Sequence, residues 1–292
     1  MFLRQLGAAT LLLLVAACGT MPGGDGVARG PVTSAPPVAS IPSLLAAADA
    51  ARQDGRFEEA MPIYQQILLS DPKSLAAKYG MAECLLGSDK AGDARAIYEE
   101  LAQNAEFHAR ALQGEGLVGL TLSQREQAAK ALRAATEADP SLWRSWNGLG
   151  LLADLKRQPQ EAQEAYSHAL AANPDSAVLH NNLGYSRLLA GKPDEAMVEL
   201  RKAYGIDPDS ETIQNNVRLV LAAKGNYAAA VKDVPRHELP AVLNNVGYVA
   251  MQRGDLSAAE TYLARAMEDS PNYNTIASQN IEQLKAKKGE GQ

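Results

Sequence analysis

The chain has 292 residues; 46% are hydrophobic but only 5% aromatic, so its apolar content is mostly Ala and Leu, and 21% are charged. Ala- and Leu-rich chains with this share of charge read as helical proteins. A formal net charge of −6 gives no electrostatic footprint for nucleic acid, and a single cysteine beyond Cys18 leaves no intramolecular disulfide to form.

The chain opens with a short segment, Met1 to Leu6, carrying one positive charge, Arg4. Residues 8–17 are apolar or small and end Val15-Ala16-Ala17. This is the pattern of a secretory signal peptide over 1–17, with an apolar run too short to span a membrane. The three residues before Cys18 resemble a bacterial lipobox, an aliphatic residue and two small ones ahead of cysteine. The resemblance implies that Cys18 receives a diacylglycerol thioether (with palmitate as a typical chain) and becomes the mature N-terminus. The alternative is an ordinary signal peptide cut nearby, with Cys18 incidental. Residues 18–42 follow with Gly, Pro, Ser, Ala and Val and almost no charge. Such a segment cannot bury enough apolar surface to offset its ordering entropy, and it reads as a flexible leash. Acyl burial contributes about 0.8 kcal/mol per methylene, so two or more chains hold a protein on a bilayer. By the sorting rule of Gram-negative lipoproteins, Gly19 in place of Asp implies the inner leaflet of the outer membrane, facing the periplasm.

From residue 43 to 273 the sequence repeats. Alanine recurs every 34 residues at Ala60, Ala94, Ala128, Ala162, Ala196 and Ala230. Pro72, Pro140, Pro174 and Pro208 hold the same frame, with Glu106 in the skipped slot. Gly116, Gly150 and Gly184 mark another position, filled earlier by Ala48 and Ala82. A last unit with Gly247, Ala259 and Pro271 keeps the mutual spacing but arrives five residues early. Each unit predicts two amphipathic helices, for example 141–155 and 159–172. Small residues at the eighth and twentieth positions let the two helices approach closely. Tyr64, Tyr98, Leu132, Tyr166 and Leu200, at the twenty-fourth, fill the space towards the next unit. The closing Pro disfavours helical geometry in the residue before it, and Pro159 and Pro193 fall in the tolerated first turn of a second helix. Pro62 lies deeper and predicts a kink. This period resembles the tetratricopeptide repeat, which implies an all-α superhelix of about seven helix pairs. Residues 274–292 add a polar capping helix and a frayed tail.

No catalytic motif stands out. His108, His168, His180 and His237 fall at unrelated repeat positions, and none has a metal-ligand partner at suitable spacing on its helix. There is no phosphate-binding loop, G-x-S-x-G or H-E-x-x-H. Cys84, in an apolar first helix, reads as a structural thiol. The sequence therefore predicts a non-enzyme without metal or cofactor.

Asparagine carries the sharper signal. Pairs at the fifth and sixth positions, Asn181-Asn182, Asn215-Asn216 and Asn244-Asn245, recur in three successive units, and Asn147 holds the fifth position one unit earlier. In tetratricopeptide proteins the first helices line a concave groove, and the resemblance implies that such amides contact a bound, extended protein segment. An amide offers both donors and acceptors, so it can satisfy a peptide backbone without demanding one side-chain sequence. The competing role is hydrogen bonding between neighbouring helices.

The sixth unit departs from the pattern. Arg218 replaces the small eighth residue and needs a partner to be packed. The run "DVPRHELP" cuts short the second helix, which starts near Asn226, predicting a local irregularity. The run "DSETIQNNVRLVLAAKGNYAAA" resembles the TadD family of tight-adherence (Flp) pilus assembly lipoproteins, although Arg218 stands where that family has a small residue. The resemblance implies a periplasmic scaffold for a pilus secretion apparatus, with a pilus or secretin component as partner. A pilotin-like escort of a type IV pilus secretin, and an adaptor for a periplasmic protease or peptidoglycan hydrolase, are the alternatives.

Overall fold

The computed structural model describes residues 40–269 and 275–289. Cys18 and residues 19–39 of the leash lie outside the described residues, while residues 41 and 42, read as its end, form the start of the first helix. Those described are all helix and turn, in fifteen helices without strands. Pair one is α1 (Ile41–Gln53) and α2 (Phe57–Ser70), and pair two is α3 (Leu75–Gly87) and α4 (Ala91–Leu101). Pairs three and four are α5 (His108–Thr121) with α6 (Arg125–Ala138) and α7 (Trp143–Leu155) with α8 (Pro159–Ala172). Pairs five and six are α9 (Ala177–Leu189) with α10 (Pro193–Ile206) and α11 (Glu211–Ala223) with α12 (Tyr227–Ala230). Pair seven, α13 (Leu239–Arg253) and α14 (Leu256–Glu268), is followed by α15 (Thr275–Gly289). The helices divide into two compact units, one through Leu152 and the other from Ala153.

Local chemistry sets the boundaries. α1 starts at Ile41, two residues ahead of the expected start at residue 43, because the Ser40 hydroxyl accepts the Ser43 N–H and Pro42 sits in the first turn, where its missing N–H costs little. Ser74 and Ser176 cap α3 and α9 in the same way. Pro159 and Pro193 occupy the first positions of α8 and α10. α2 continues through Pro62 to Ser70.

Packing follows the 34-residue frame. The twentieth-position alanines, from Ala60 to Ala230, are fully buried, as are Tyr64, Tyr98, Leu132, Tyr166 and Leu200. Within a pair, a Cβ on Gly184 would stand 2.7 Å from Leu200 and one on Gly247 2.7 Å from Leu263. Between pairs, the Tyr64 and Tyr98 rings fill the space a Cβ would need at Gly80 and Gly114, and Leu132 comes within 2.7 Å of that position at Gly148. Glycine at the sixth position thus seats the large residue of the preceding pair, a rule the repeat spacing alone did not reveal.

A second regularity closes the turns between pairs. Trp146 Nε1 donates to the Pro140 carbonyl at 2.9 Å, and Gln214 Nε2 to that of Pro208 at 2.8 Å. His180 Nε2 lies 3.0 Å from the Pro174 carbonyl. A donor six residues beyond the closing proline thus binds the carbonyl of that proline, a turn residue just past the C-cap of the preceding helix.

Pair six is the exception. α12 is a single turn, followed by turns through residue 238 with Asp233 at a positive φ of 53°. Val231 and Val234 pack there with Tyr227, whose ring is 5.8 Å from that of Tyr262, and so close the space of the missing helix.

Candidate functional site

The amide-bearing positions are on first helices, and in the second unit α9, α11, α13 and α15 succeed one another in contact. Six of the seven singled-out asparagines belong to this unit; half-buried Asn147 belongs to the first. The six are not equivalent. Asn181, Asn182 and Asn244 are 1%, 3% and 7% exposed, while Asn215, Asn216 and Asn245 are half-buried.

Hydrogen bonds separate them further. Asn181 donates to Asn182 at 3.3 Å and accepts from Asn216 of the next pair at 2.8 Å. Asn244 accepts from Asn280 of α15 at 2.9 Å. The buried amides therefore join successive first helices, and satisfying them internally avoids the cost of an unpaired buried polar group. Asn216 spends one donor and keeps its carbonyl oxygen. Asn245 makes no side-chain hydrogen bond among the described residues. Available donors and acceptors thus collect on α11 and α13, at Asn215, Asn216 and Asn245.

Arg218 borders this group. Its guanidinium donates to Asn215 at 3.1 Å and stands 3.8 Å from Glu238, at the end of the turns that replace the second helix of pair six. The departure at the eighth position and the shortened helix are therefore one feature, since the turns deliver the carboxylate that the arginine needs.

Charge is otherwise committed inside the fold. Glu83 is buried, accepts from Tyr98 at 2.6 Å and pairs with Arg144 at 2.5 Å. Burial works against its charge, but Arg144 and the Tyr98 hydroxyl outweigh it and hold the carboxyl below the usual range. Glu199 is also buried and is met by His180 at 2.7 Å, Arg187 at 3.0 Å and Lys202 at 3.2 Å. These partners likewise overcome its desolvation and hold it low. His180 therefore belongs to a structural cluster. Burial lifts the Cys84 thiol to about 11, which suits a packing role. Among the described residues no three His, Cys, Asp or Glu are placed to hold a metal, and no helix is long and apolar enough to cross a membrane.

This arrangement matches known proteins in fold. Tetratricopeptide repeat models match residues 51–115, 114–162 and 156–211, together more than half of the chain. No curated protein matches it. The Cut9–Hcn1 hetero-tetramer of the APC/C is similar over 84% of this chain and 49% of its own, at 20% identity and a TM-score of 0.57, so this chain spans about half of that one's length. A thermophilic repeat protein of Thermus thermophilus is similar over 65% of this chain and 98% of its own, at 19% identity and a TM-score of 0.54. The structure of pilF of Pseudomonas aeruginosa is similar over 83% of this chain and 96% of its own, at 17% identity and a TM-score of 0.51. With its 34-residue frame, its stacked helix pairs and these matches, the chain belongs to the tetratricopeptide repeat family.

Proposed function

We propose that this chain is a lipid-anchored periplasmic scaffold that holds an extended protein segment against its first helices and serves the assembly of a tight-adherence (Flp) pilus apparatus. The observation that carries the binding role is the uncommitted amide group of Asn245, beside Asn215 and Asn216, on a face whose other asparagines are spent on helix contacts. An uncharged row of amides suits a peptide backbone, whose N–H and C=O groups need both donors and acceptors. The pilus assignment draws on the TadD resemblance and on the likeness in fold to pilF. The anchor draws on the lipobox ahead of Cys18, and a body tethered there to the outer membrane faces the periplasm.

A photo-crosslinking residue in place of Asn245, in cells that assemble the pilus, is expected to trap a pilus or secretin component. A control at exposed Glu164 should trap none. Trapping of a periplasmic protease or peptidoglycan hydrolase instead would favour the adaptor role. Equal yields at both positions would contradict the site. Fatty-acid labelling tests the anchor separately, and label that survives Cys18→Ala would remove it.

A further inference from the structure

Three tyrosines at the twenty-fourth repeat position donate to a carboxylate on the first helix of their own pair. Tyr64 reaches Asp49 at 2.6 Å, Tyr98 reaches Glu83 at 2.6 Å and Tyr166 reaches Asp154 at 3.0 Å. In two of them an arginine of this chain completes the group. Arg52 stands 3.3 Å from Asp49 and 3.2 Å from the Tyr64 hydroxyl, and Arg144 stands 2.5 Å from Glu83. The third has no such cation among the described residues. Asp154 is met there by hydroxyls, Ser186 at 2.6 Å on Oδ1 and Tyr166 at 3.0 Å on Oδ2.

Half-buried Asp154 therefore bears a desolvation cost that no counter-charge offsets, and burial raises its carboxyl to about 6 despite the two hydroxyls. Each carboxylate oxygen accepts one hydrogen bond there and has a second lone pair to offer. Those two lone pairs match the planar fork of a guanidinium, which donates two parallel hydrogen bonds. Of the three residues of this group, Ser186 borders an open cleft of about 170 Å³ between the start of α8 and the turn from α9 to α10, with Gln160 and Gln163 on its wall. The cations in that wall are already paired, Arg187 with Glu199 at 3.0 Å and Lys192 with Glu195 at 3.4 Å.

We propose that Asp154, Tyr166 and Ser186 form a socket for an arginine side chain supplied by the protein partner. The two groups whose carboxylate stands at the ninth repeat position contain an arginine of this chain, and the group of Asp154, at the twelfth, is completed from outside. This deepens the scaffold reading and rests on it, since the arginine belongs to the segment that the scaffold holds. The socket lends specificity to a face whose amides recognise only backbone.

The test uses the folded chain and N-acetylarginine amide, with the Asp154 carboxyl carbon followed by NMR above pH 7. Saturable shifts are expected with this probe and none with N-acetylcitrulline amide, which keeps the shape without the charge. Asp154→Asn should weaken the response, followed at the Ser186 and Tyr166 resonances, by roughly tenfold or more, the equivalent of one lost charge-assisted bond. Identical shifts with citrulline, or an undiminished response in Asp154→Asn, would overturn the socket. An equal response to N-acetyllysine amide would overturn the arginine fork. The citrulline comparison needs no variant, so it stands even if Asp154→Asn folds poorly. Neither probe involves the partner. A silent socket beside normal crosslinking at position 245 condemns the socket alone, whereas a responsive socket with no crosslinked partner condemns the scaffold reading.

Discussion

The two units share one repeat frame but treat its sixth position differently. In the first, Gly80, Gly114 and Gly148 stand there, and the large side chain of the preceding pair fills the vacated space. In the second, Asn182, Asn216 and Asn245 stand there, and amides join neighbouring first helices or remain available. Both units pair their buried glutamates, Glu83 and Glu199, but other polar groups divide along the same line. The first unit ties Glu83 to Arg144 across pairs two and four, so its strongest charges satisfy each other. The second leaves Asp154 without a cation and Asn245 without a partner among the described residues. A single repeat architecture can thus spend its polar groups inside the fold in one region and leave some of them unspent in another, by exchanging a few residues at fixed positions.

The sharpest way to break that contrast is to unpair a charge of the first unit. Arg144→Met strands the buried Glu83 carboxylate, and removing one member of a buried pair costs about 3 kcal/mol. Chemical denaturation should show that loss, with much of it restored by adding Glu83→Gln. The sixth-position rule predicts the next largest effect. Gly114→Ala drives a methyl into the Tyr98 ring and should cost about 2 kcal/mol through overpacking. Alanine at Asn245, the corresponding position of pair seven, should cost almost nothing by the same measurement.

A smaller effect separates the two carboxylates by sign. Glu83 is held below its ordinary range, so its contribution is present above its unfolded value and is lost as pH falls through its folded value. Asp154 behaves oppositely. Folding raises its carboxyl from 3.8 to about 6, so its contribution is full below pH about 4 and is lost as pH rises through about 6. The loss amounts to about 1 to 2 kcal/mol after allowance for solvent screening at a half-buried site. Glu199, in the second unit, shares the sign of Glu83, so a variant is needed to isolate the effect. Melting profiles of Asp154→Asn between pH 4 and 7 should lack the falling component seen in the parent chain.

Much of this was legible in the sequence. The frame of Ala60 through Ala230, the large residues from Tyr64 to Leu200 and the closing prolines predicted the helix pairs and their buried contacts, because a packing period leaves a residue period. The truncation after Asn226 was legible for the same reason. The glycine seats at positions 80, 114 and 148 were hidden, since each serves a side chain from the preceding unit. The division among the asparagines was hidden too. Asn182 and Asn245 occupy the same repeat position, yet one is buried and the other half-buried, because burial depends on the neighbouring pair. Asp154 was hidden because it stands three residues further along its helix than Asp49 and Glu83 do, so aligning the tyrosine positions sets Leu151, not Asp154, beside those carboxylates. Only the observed pairings show that the hydroxyls reach those carboxylates.

The central claim is that the receptive face of the second unit holds a partner through amides the fold does not use. Melting temperature and partner capture, measured together on Asn245→Ala and Asn182→Ala, test it most directly. Asn245 has no hydrogen bond to lose among the described residues and alanine is the better helix former, so Asn245→Ala should melt at or slightly above the parent temperature. Its capture of the partner trapped at position 245 should fall by roughly fivefold to tenfold, the cost of one desolvated hydrogen bond. Asn182→Ala removes a buried amide and should melt earlier, with capture by the folded fraction nearly unchanged. Normal capture by Asn245→Ala, with capture in both variants following only the folded fraction, would contradict the account.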